Sequence, residues 1–348
     1  LTRLIVASLA ASTPMGQQAY ENQIAGRAAQ ALGPSWQVDR VVVRTLRTPL
    51  SGTVRVPKSL LGAGSPRVRR LVGRAIYRSG DVVHRLDLRL PPAPAPEILT
   101  VHDLAPWRFD DEGHLADSAR REAARAEVVI CPSQFAADEV AEQLGIANTV
   151  AIPNGVDDVF FDPRPLSAEE LHALGVRAPF VLHAGGCTRR KNLTALAEAW
   201  PLVKQAYPDL SLVFAGPPDR RRQDLFAPLT GTVLVGRVAE GSLPGLMAAA
   251  EAVVVPSIYE GFGLPAAEAM AAGTPVVASA RSSLPEVCGP AGILVEPTGE
   301  ALAAGLISVV DGHGIAERVA LGRVKAAEYT WARSAERHAE VWRRYSIT

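Results

Sequence analysis

Two glutamates flank a glycine turn in the run Pro256-Ser257-Ile258-Tyr259-Glu260-Gly261-Phe262-Gly263-Leu264-Pro265-Ala266-Ala267-Glu268. The run continues through Ala272-Gly273-Thr274-Pro275 into Val276-Val277-Ala278, so it reads strand, glycine turn, helix, glycine stop, strand. Gly261 and Gly263 permit a tight turn and close approach of backbone to a ligand, and Pro265 suits the first turn of a helix. The free N–H groups of Gly263 and Leu264, with the positive end of the helix dipole behind them, form an anion site. Glu260 and Glu268 cannot themselves bind phosphate. As acceptors beside a phosphate site they suit the hydroxyls of a sugar and a ribose.

A second glycine turn, His183-Ala184-Gly185-Gly186-Cys187-Thr188-Arg189-Arg190-Lys191-Asn192-Leu193, follows an apolar run and opens a helical pattern. Lysine occurs only at positions 58, 191, 204 and 325, which makes Lys191 in a glycine-rich turn conspicuous. Basic side chains at a helix start oppose its dipole, so Arg190 and Lys191 call for a ligand. Thr100-Val101-His102-Asp103-Leu104 ends another apolar run and projects His102 from its carboxyl end. Gly16, after Thr13-Pro14-Met15, occupies the first strand-to-helix turn. Gly216 and the segment Gly236-Arg237-Val238 end two further runs.

The run EGFGLPAAEAMAAGTPVVAS, with its E-x7-E pair, resembles the retaining GT-B glycosyltransferases of family 4 (glycosyltransferase group 1 type). The Arg190-Lys191-Asn192 element, the His102-Asp103-Leu104 element and Asn154-Gly155-Val156-Asp157 add to the likeness. The resemblance implies an α/β protein of GT-B architecture: two Rossmann-like domains face a central cleft and a C-terminal helix crosses back to the first. It implies transfer with retention from a nucleotide-diphosphate sugar, GDP- or UDP-linked, to a glycan, lipid-linked or small-molecule acceptor. Mannose is favoured from the His-Asp-Leu context. In that scheme His102, Glu260, Arg190 and Lys191 are catalytic. Gly16, Gly185, Gly186, Arg237, Val238, Gly261, Phe262, Gly263, Leu264 and Glu268 bind the donor, Arg237 and Val238 at the base and Glu268 at the ribose. Relatives carry an arginine directly after the turn glycine; here Gly186 and Cys187 stand there, leaving Arg190 or Arg189 to do that work. No cofactor is implied beyond the donor, and no D-x-D metal motif lies in a suitable turn.

The elements that must position these residues alternate along the whole chain. Short β-rich runs at Leu4–Leu9, Val41–Val43, Asp81–His84, Ile98–Val101 and Val128–Ile130 predict strands. Gln17–Leu32, Pro66–Arg78, Leu115–Ala124 and Gln134–Leu144 predict helices, the last capped by Ser133 and stopped by Gly145. Strands at Phe180–Ala184, Leu210–Ala215, Val233–Val235, Ala252–Val255, Val276–Ala278 and Ile293–Val295 repeat the rhythm. The helices between and after them are Asn192–Tyr207, Leu243–Ala250, Pro265–Ala272, Glu300–Val310, Ile315–Tyr329 and Trp331–Tyr345. This pattern predicts parallel sheets covered on both faces. With 348 residues, two domains are expected: 1–160 on the acceptor side, joined by 332–348, and 161–331 for the nucleotide sugar.

Formal net charge is zero, which points away from nucleic acid. Three well-separated cysteines suggest no disulfide framework and a reducing, cytoplasmic setting. The apolar start reads as a buried strand, and no apolar stretch reaches the ~18 residues of a membrane span. Arg67, Arg70, Arg74 and Arg78 recur at helical spacing, with Leu71, Val72, Ala75 and Ile76 expected on the core side. Two readings stand for that face: solvated arginines, or docking to an anionic acceptor or the inner membrane surface. Two other functions use similar residues: a GT-B nucleotide-sugar epimerase, and a non-catalytic nucleotide-sugar binding module. A dehydrogenase is disfavoured because no G-x-G-x-x-G follows the first run.

Overall fold

The computed structural model describes residues 1–11, 16–57, 61, 65–78, 80–94, 96–113, 115, 118–239, 241–312 and 314–346. The first part of the chain forms β1 (Thr2–Leu9), α1 (Gly16–Leu32), β2 (Trp36–Thr45), β3 (Val54–Val56), α2 (Pro66–Tyr77), β4 (Val82–Arg85), β5 (Glu97–Thr100), α3 (Ala105–Arg108), α4 (Ala119–Ala123), β6 (Val128–Cys131), α5 (Gln134–Leu144) and β7 (Thr149–Ala151). The remainder forms α6 (Ala168–Ala173), β8 (Phe180–Ala184), α7 (Leu193–Ala206), β9 (Ser211–Ala215), α8 (Arg220–Phe226), β10 (Thr232–Gly236), α9 (Ser242–Ala248), β11 (Ala252–Val255), α10 (Leu264–Ala272), β12 (Val276–Ser279), α11 (Leu284–Cys288), β13 (Ile293–Val295), α12 (Gly299–Val310), α13 (Ile315–Ala326) and α14 (Trp331–Arg344).

The strands build two parallel sheets, ordered β3-β2-β1-β4-β5-β6-β7 and β10-β9-β8-β11-β12-β13. Contacts divide the chain into Leu1–Gly155 with Trp331–Thr348, and Val156–Thr330. Central strands β4, β5, β6 and β11 are buried along their length; β6 and β11 accordingly read as continuous apolar runs, whereas β4 and β5 carry polar and charged residues into the interior. Ser133 caps α5, and Gly145 closes it in the left-handed conformation. Gly155 is required by close approach: a β-carbon there would lie 2.2 Å from the backbone nitrogen of Trp331, where α14 begins.

In α2 the four expected arginines are exposed, but Leu71 and Ala75 are exposed as well, which corrects the expected core side. Its buried face is Arg69, Gly73 and Tyr77. The reason is electrostatic. Arg69 makes a two-pronged pair with Glu122 of α4, both bonds 2.8 Å, and donates to Leu90 O at 2.9 Å. Arg85 of β4 bonds Glu97 at 2.5 Å and Leu90 O at 2.7 Å. Stripping one partner from a buried pair of this kind costs about 3–5 kcal/mol, so the arginines are held inward and the helix rotates to suit them. The helix expected over Leu115–Ala124 is shorter, Ala119–Ala123; residues 116 and 117 lie outside the described residues.

The final helix packs on the first unit through Trp331, Ser334, Ala335, His338, Ala339 and Trp342, spaced three and four apart. A chain of hydrogen bonds runs beneath it. Indole nitrogen can only donate, and Trp342 Nε1 donates to His84 Nδ1 at 3.1 Å. His84 Nε2 therefore carries the ring proton and donates to Thr100 Oγ1 at 2.8 Å. At the other end, His338 Nδ1 donates to the Ser334 carbonyl at 2.7 Å, leaving Nε2 to accept from the Tyr20 hydroxyl at 2.8 Å. Thr100 Oγ1 then donates to the Tyr20 oxygen at 2.8 Å, and one direction runs throughout.

Both histidines must stay neutral for this chain. Burial pushes His84 well below the ordinary 6.5 and His338 down to about 4. An unfolded His338 takes up its proton near pH 6.5 while the folded one waits until about 4, so stability is lost as pH falls through that window and the loss is complete below it. His338→Gln keeps an acceptor for Tyr20 and removes that titration. We expect its Tm, by calorimetry, to fall less between pH 6.5 and 4 than the wild-type Tm; parallel curves would show that His338 is not held neutral.

Candidate functional site

Parallel strands all deliver their following loops to one edge of the sheet, and ligands of such sheets bind where the strand order reverses. In the second unit that point lies between β8 and β11. The loop after β8 carries Gly185, Gly186, Arg190 and Lys191; the loop after β11 carries Glu260, Gly261, Phe262 and Gly263. The structure brings three of these side chains together. Arg190 Nη1 lies 2.6 Å from Glu260 Oε2, and Lys191 Nζ lies 2.6 Å from Glu260 Oε1. Ser257 Oγ donates to the same carboxylate at 2.7 Å. Burial works against the Glu260 charge, but Lys191 and Arg190 outweigh it and hold the carboxyl down to about 2. Of the two arginines, Arg190 pairs with Glu260, and Arg189 is exposed.

The backbone around this triad is fixed by Asn192 of the Arg190-Lys191-Asn192 element and by serines that the sequence did not single out. Arg190 Nη1 also donates to Tyr259 O at 3.2 Å, and Ile258 N donates to Arg190 O at 2.8 Å. Asn192 was expected inside the helix. It instead holds a left-handed cap before α7, and its side chain donates to Pro256 O at 3.1 Å and Pro297 O at 3.0 Å. Ser282 accepts from Glu260 N at 2.9 Å, and Ser283 Oγ is 2.9 Å from both Glu260 O and Phe262 O. Ser282 itself has φ 53°, a strained value for serine. A serine pair just beyond a strand is the one sequence cue that this loop is clamped.

Gly263 precedes α10 with φ 97° and ψ 50°, a conformation open to glycine. The first N–H groups of α10 lack intrahelical acceptors, and the positive helix end lies with them. Phe262 is buried, and its ring packs edge-on to Tyr329 at 5.2 Å. Leu264 is half-buried at the helix start. Glu268, one turn further on, stands apart from the triad. Burial and the charge of Asp157 push its carboxyl up to about 7. Val238 packs on the core of this unit beside exposed Arg237, after β10.

In the first unit the strand order reverses between β1 and β4. Gly16 opens α1; the Thr13-Pro14-Met15 turn before it lies outside the described residues. His102 lies just past β5 and lines a cavity of about 150 Å³ with Gln17, Asp87, Arg89 and Asp103. Its Nε2 is buried without a partner among the described residues. Burial pushes its pKa down to about 4, although Asp87 offsets part of the effect. Asp87 was not singled out by the sequence. Burial alone would raise its pKa, but Arg89, which donates to it from Nε and from its backbone at 3.0 and 2.8 Å, holds the carboxyl low. Glu21, behind Asp87, is pushed up to about 8 by burial and by that charge. On α2, Arg67, Arg70 and Arg74 line an open cavity of about 590 Å³ with Leu71, Ala93, Pro94 and Arg125. Arg78, the C-cap of the same helix, is exposed.

Two doubly wound parallel sheets, with the C-terminal helix packed on the first, define the GT-B fold. A crystal structure of an Anabaena protein in complex with UDP and glucose matches with a TM-score of 0.76 at 19% identity, over 99% of this chain and 100% of that one. Residues 28–160 match the family described as Glycosyltransferase Family 4, and residues 178–312 match Glycosyl transferases group 1. An alpha-maltose-1-phosphate synthase of Mycolicibacterium smegmatis is 31% identical over 72% of this chain and 73% of its own length. The chain belongs to glycosyltransferase family 4. A GDP-mannose-dependent alpha-(1-6)-phosphatidylinositol dimannoside mannosyltransferase of Mycobacterium tuberculosis is also 31% identical, over 62% of this chain; the match spans 57% of that protein's length.

Ser283→Ala should leave the Glu260 and Phe262 carbonyls without their donor and cost about 1–3 kcal/mol in urea denaturation. An unchanged midpoint would mean that the loop is held by its other contacts alone.

Proposed function

We propose that this family-4 glycosyltransferase moves a hexose, with retention, from a nucleotide-diphosphate sugar to a hydroxyl of a glycan, lipid-linked or small-molecule acceptor. The observation that carries the reading is the Arg190–Glu260–Lys191 triad beside the glycine-opened N-terminus of α10. Two cations against one carboxylate leave a net positive charge where helix N–H groups also gather. That combination suits a diphosphate leaving group. As the bond to the anomeric carbon breaks, negative charge grows on the diphosphate, and Arg190, Lys191 and the α10 N-terminus meet it without reorganising. Losing one such donor costs ~3–4 kcal/mol of transition-state stabilisation. With these cations in place, we infer that transfer is independent of a divalent ion.

Glu260 is assigned to donor-sugar hydroxyls and Glu268 to the ribose. His102, whose buried Nε2 lacks a partner among the described residues, is assigned to the transferred sugar. Gly185 and Gly186, with the backbone from Gly261 to Leu264, are assigned to the donor phosphates, and Gly16 is assigned to the donor as well. Arg237 and Val238 lie by the base. Mannose is preferred because the mycobacterial relative is named for GDP-mannose; the Anabaena structure, solved with UDP and glucose, keeps a glucosyl donor as the contrasting outcome. The arginine-lined cavity on α2 suits an anionic acceptor or an anionic membrane surface. No helix among the described residues is long and apolar enough to cross a membrane.

Calorimetric titration with GDP and UDP in the presence of EDTA tests the site. Binding of either supports it and chooses the donor class; binding of neither counts against it. Lys191→Ala and Glu268→Ala should each lower transfer by ~10²-fold or more while the fold persists. Near-normal turnover in either variant removes that residue from the site. Replacing Arg67, Arg70, Arg74 and Arg78 by alanine should weaken sedimentation with vesicles containing anionic phospholipid, and unchanged sedimentation would discard the membrane contact.

A further inference from the structure

His102 has its Nε2 buried and unpartnered, so among the described residues no hydrogen bond of that atom fixes the ring's orientation. The ring is instead set against Tyr20, whose plane stands at 89° to it with centroids 4.7 Å apart. Perpendicular aromatic pairs of this spacing carry about 0.5–1.5 kcal/mol beyond their buried area. That is enough to select one orientation only if Tyr20 is itself fixed.

Tyr20 is fixed at its far end. Its hydroxyl accepts from Thr100 and donates to His338, and each of those residues is committed in turn, Thr100 by His84 and Trp342, His338 by the Ser334 carbonyl. His84, Thr100, Tyr20 and His338 each both donate and accept along the chain. A Tyr20 rotation would break two bonds in a dry interior, where an unmet polar group costs about 1–3 kcal/mol. Its ring also lies 5.7 Å from His338 and 6.2 Å from Trp331. The C-terminal helix thus grips the back of the residue whose front meets His102.

We propose that Tyr20, Thr100 and His338 are positioning residues for His102, and that the C-terminal helix governs the aim of that histidine through the directed hydrogen-bond chain. The inference rests on the assignment of His102 to the transferred sugar. It does not require any of the three to touch substrate. Misplacing a reacting group by about 1 Å can lower a rate ~10²-fold, so a slackened Tyr20 acts on turnover before it acts on donor binding.

Two nearly isosteric changes cut the chain while keeping its packing: Tyr20→Phe and Thr100→Val. Histidine-labelled full-length protein gives the direct readout, with the His102 ring signals assigned by their loss in His102→Gln. In both variants those signals should shift or broaden, and turnover of GDP-mannose or UDP-glucose, whichever the protein uses, should fall about tenfold with the donor KM within twofold. In a His102→Ala background, Tyr20→Phe should have no further effect on turnover. His102 signals that superimpose on wild type in both variants, with only Tm lowered, would make the chain a structural fastening and overturn the proposal. Full turnover by His102→Ala would instead remove the assignment of His102 on which it rests, whatever the spectra show.

Discussion

A parallel strand cannot return to its neighbour through a tight turn; it needs a crossover, and the crossover begins at the same edge for every strand. That constraint organises this molecule. It delivers the loops after β8 and β11 side by side, because these strands are neighbours although three crossovers separate them in sequence. Arg190 and Lys191 therefore meet Glu260 across about seventy positions of chain, a distance that no local motif spans. The same constraint places His102, after β5, on the edge where β4 releases Asp87 and Arg89.

The edge by itself would be a set of loops, and the sequence supplies separate means of stiffening each one. In the second unit the means are short polar side chains. Asn192, Ser282 and Ser283 bond to backbone groups around the triad and Ser257 bonds to the Glu260 carboxylate, so the charged groups are held by small residues that carry no charge themselves. In the first unit the means are buried ions and neutral histidines. Arg69 and Arg85 fasten the loop between β4 and β5 through Leu90 O, and the Tyr20 chain fastens α14 to α1 and the sheet. The two solutions differ in their response to acid: the serine clamp has nothing to titrate, whereas the histidines do.

The periodicity of the chain made most of the central strands and the long helices readable, because strands buried on both faces show as unbroken apolar runs. Strands β3 and β7 were not read. Each is three residues long and lies at a sheet edge, where Val54-Arg55-Val56 and Thr149-Val150-Ala151 lack such a run. Helix α8 starts Arg-Arg-Arg-Gln and offers no apolar stripe in its first turn. On α2 the period was legible but its phase was not, since a buried Arg69 inverts the rule by which arginines face water. Glu260, Arg190 and Lys191 were readable from glycine turns and charge. Their partners Ser282 and Ser283, and the Tyr20–His338 contact, depend on pairings far apart in sequence that one chain alone does not display.

Glu260 and Glu268 show how one residue type can hold two states eight positions apart. Two cations hold the Glu260 carboxyl down to about 2; burial and the charge of Asp157 push the half-buried Glu268 carboxyl up to about 7. On the proposed reading this separation has a use. An ionised Glu260 accepts hydrogen bonds from sugar hydroxyls and restrains the two cations until a diphosphate shares them. A carboxyl poised between its two forms near neutrality can donate to one oxygen of a ribose diol while accepting from the other, which a fixed carboxylate cannot do. Environments that push two like groups apart are how a single loop and helix can assign different chemistry to each.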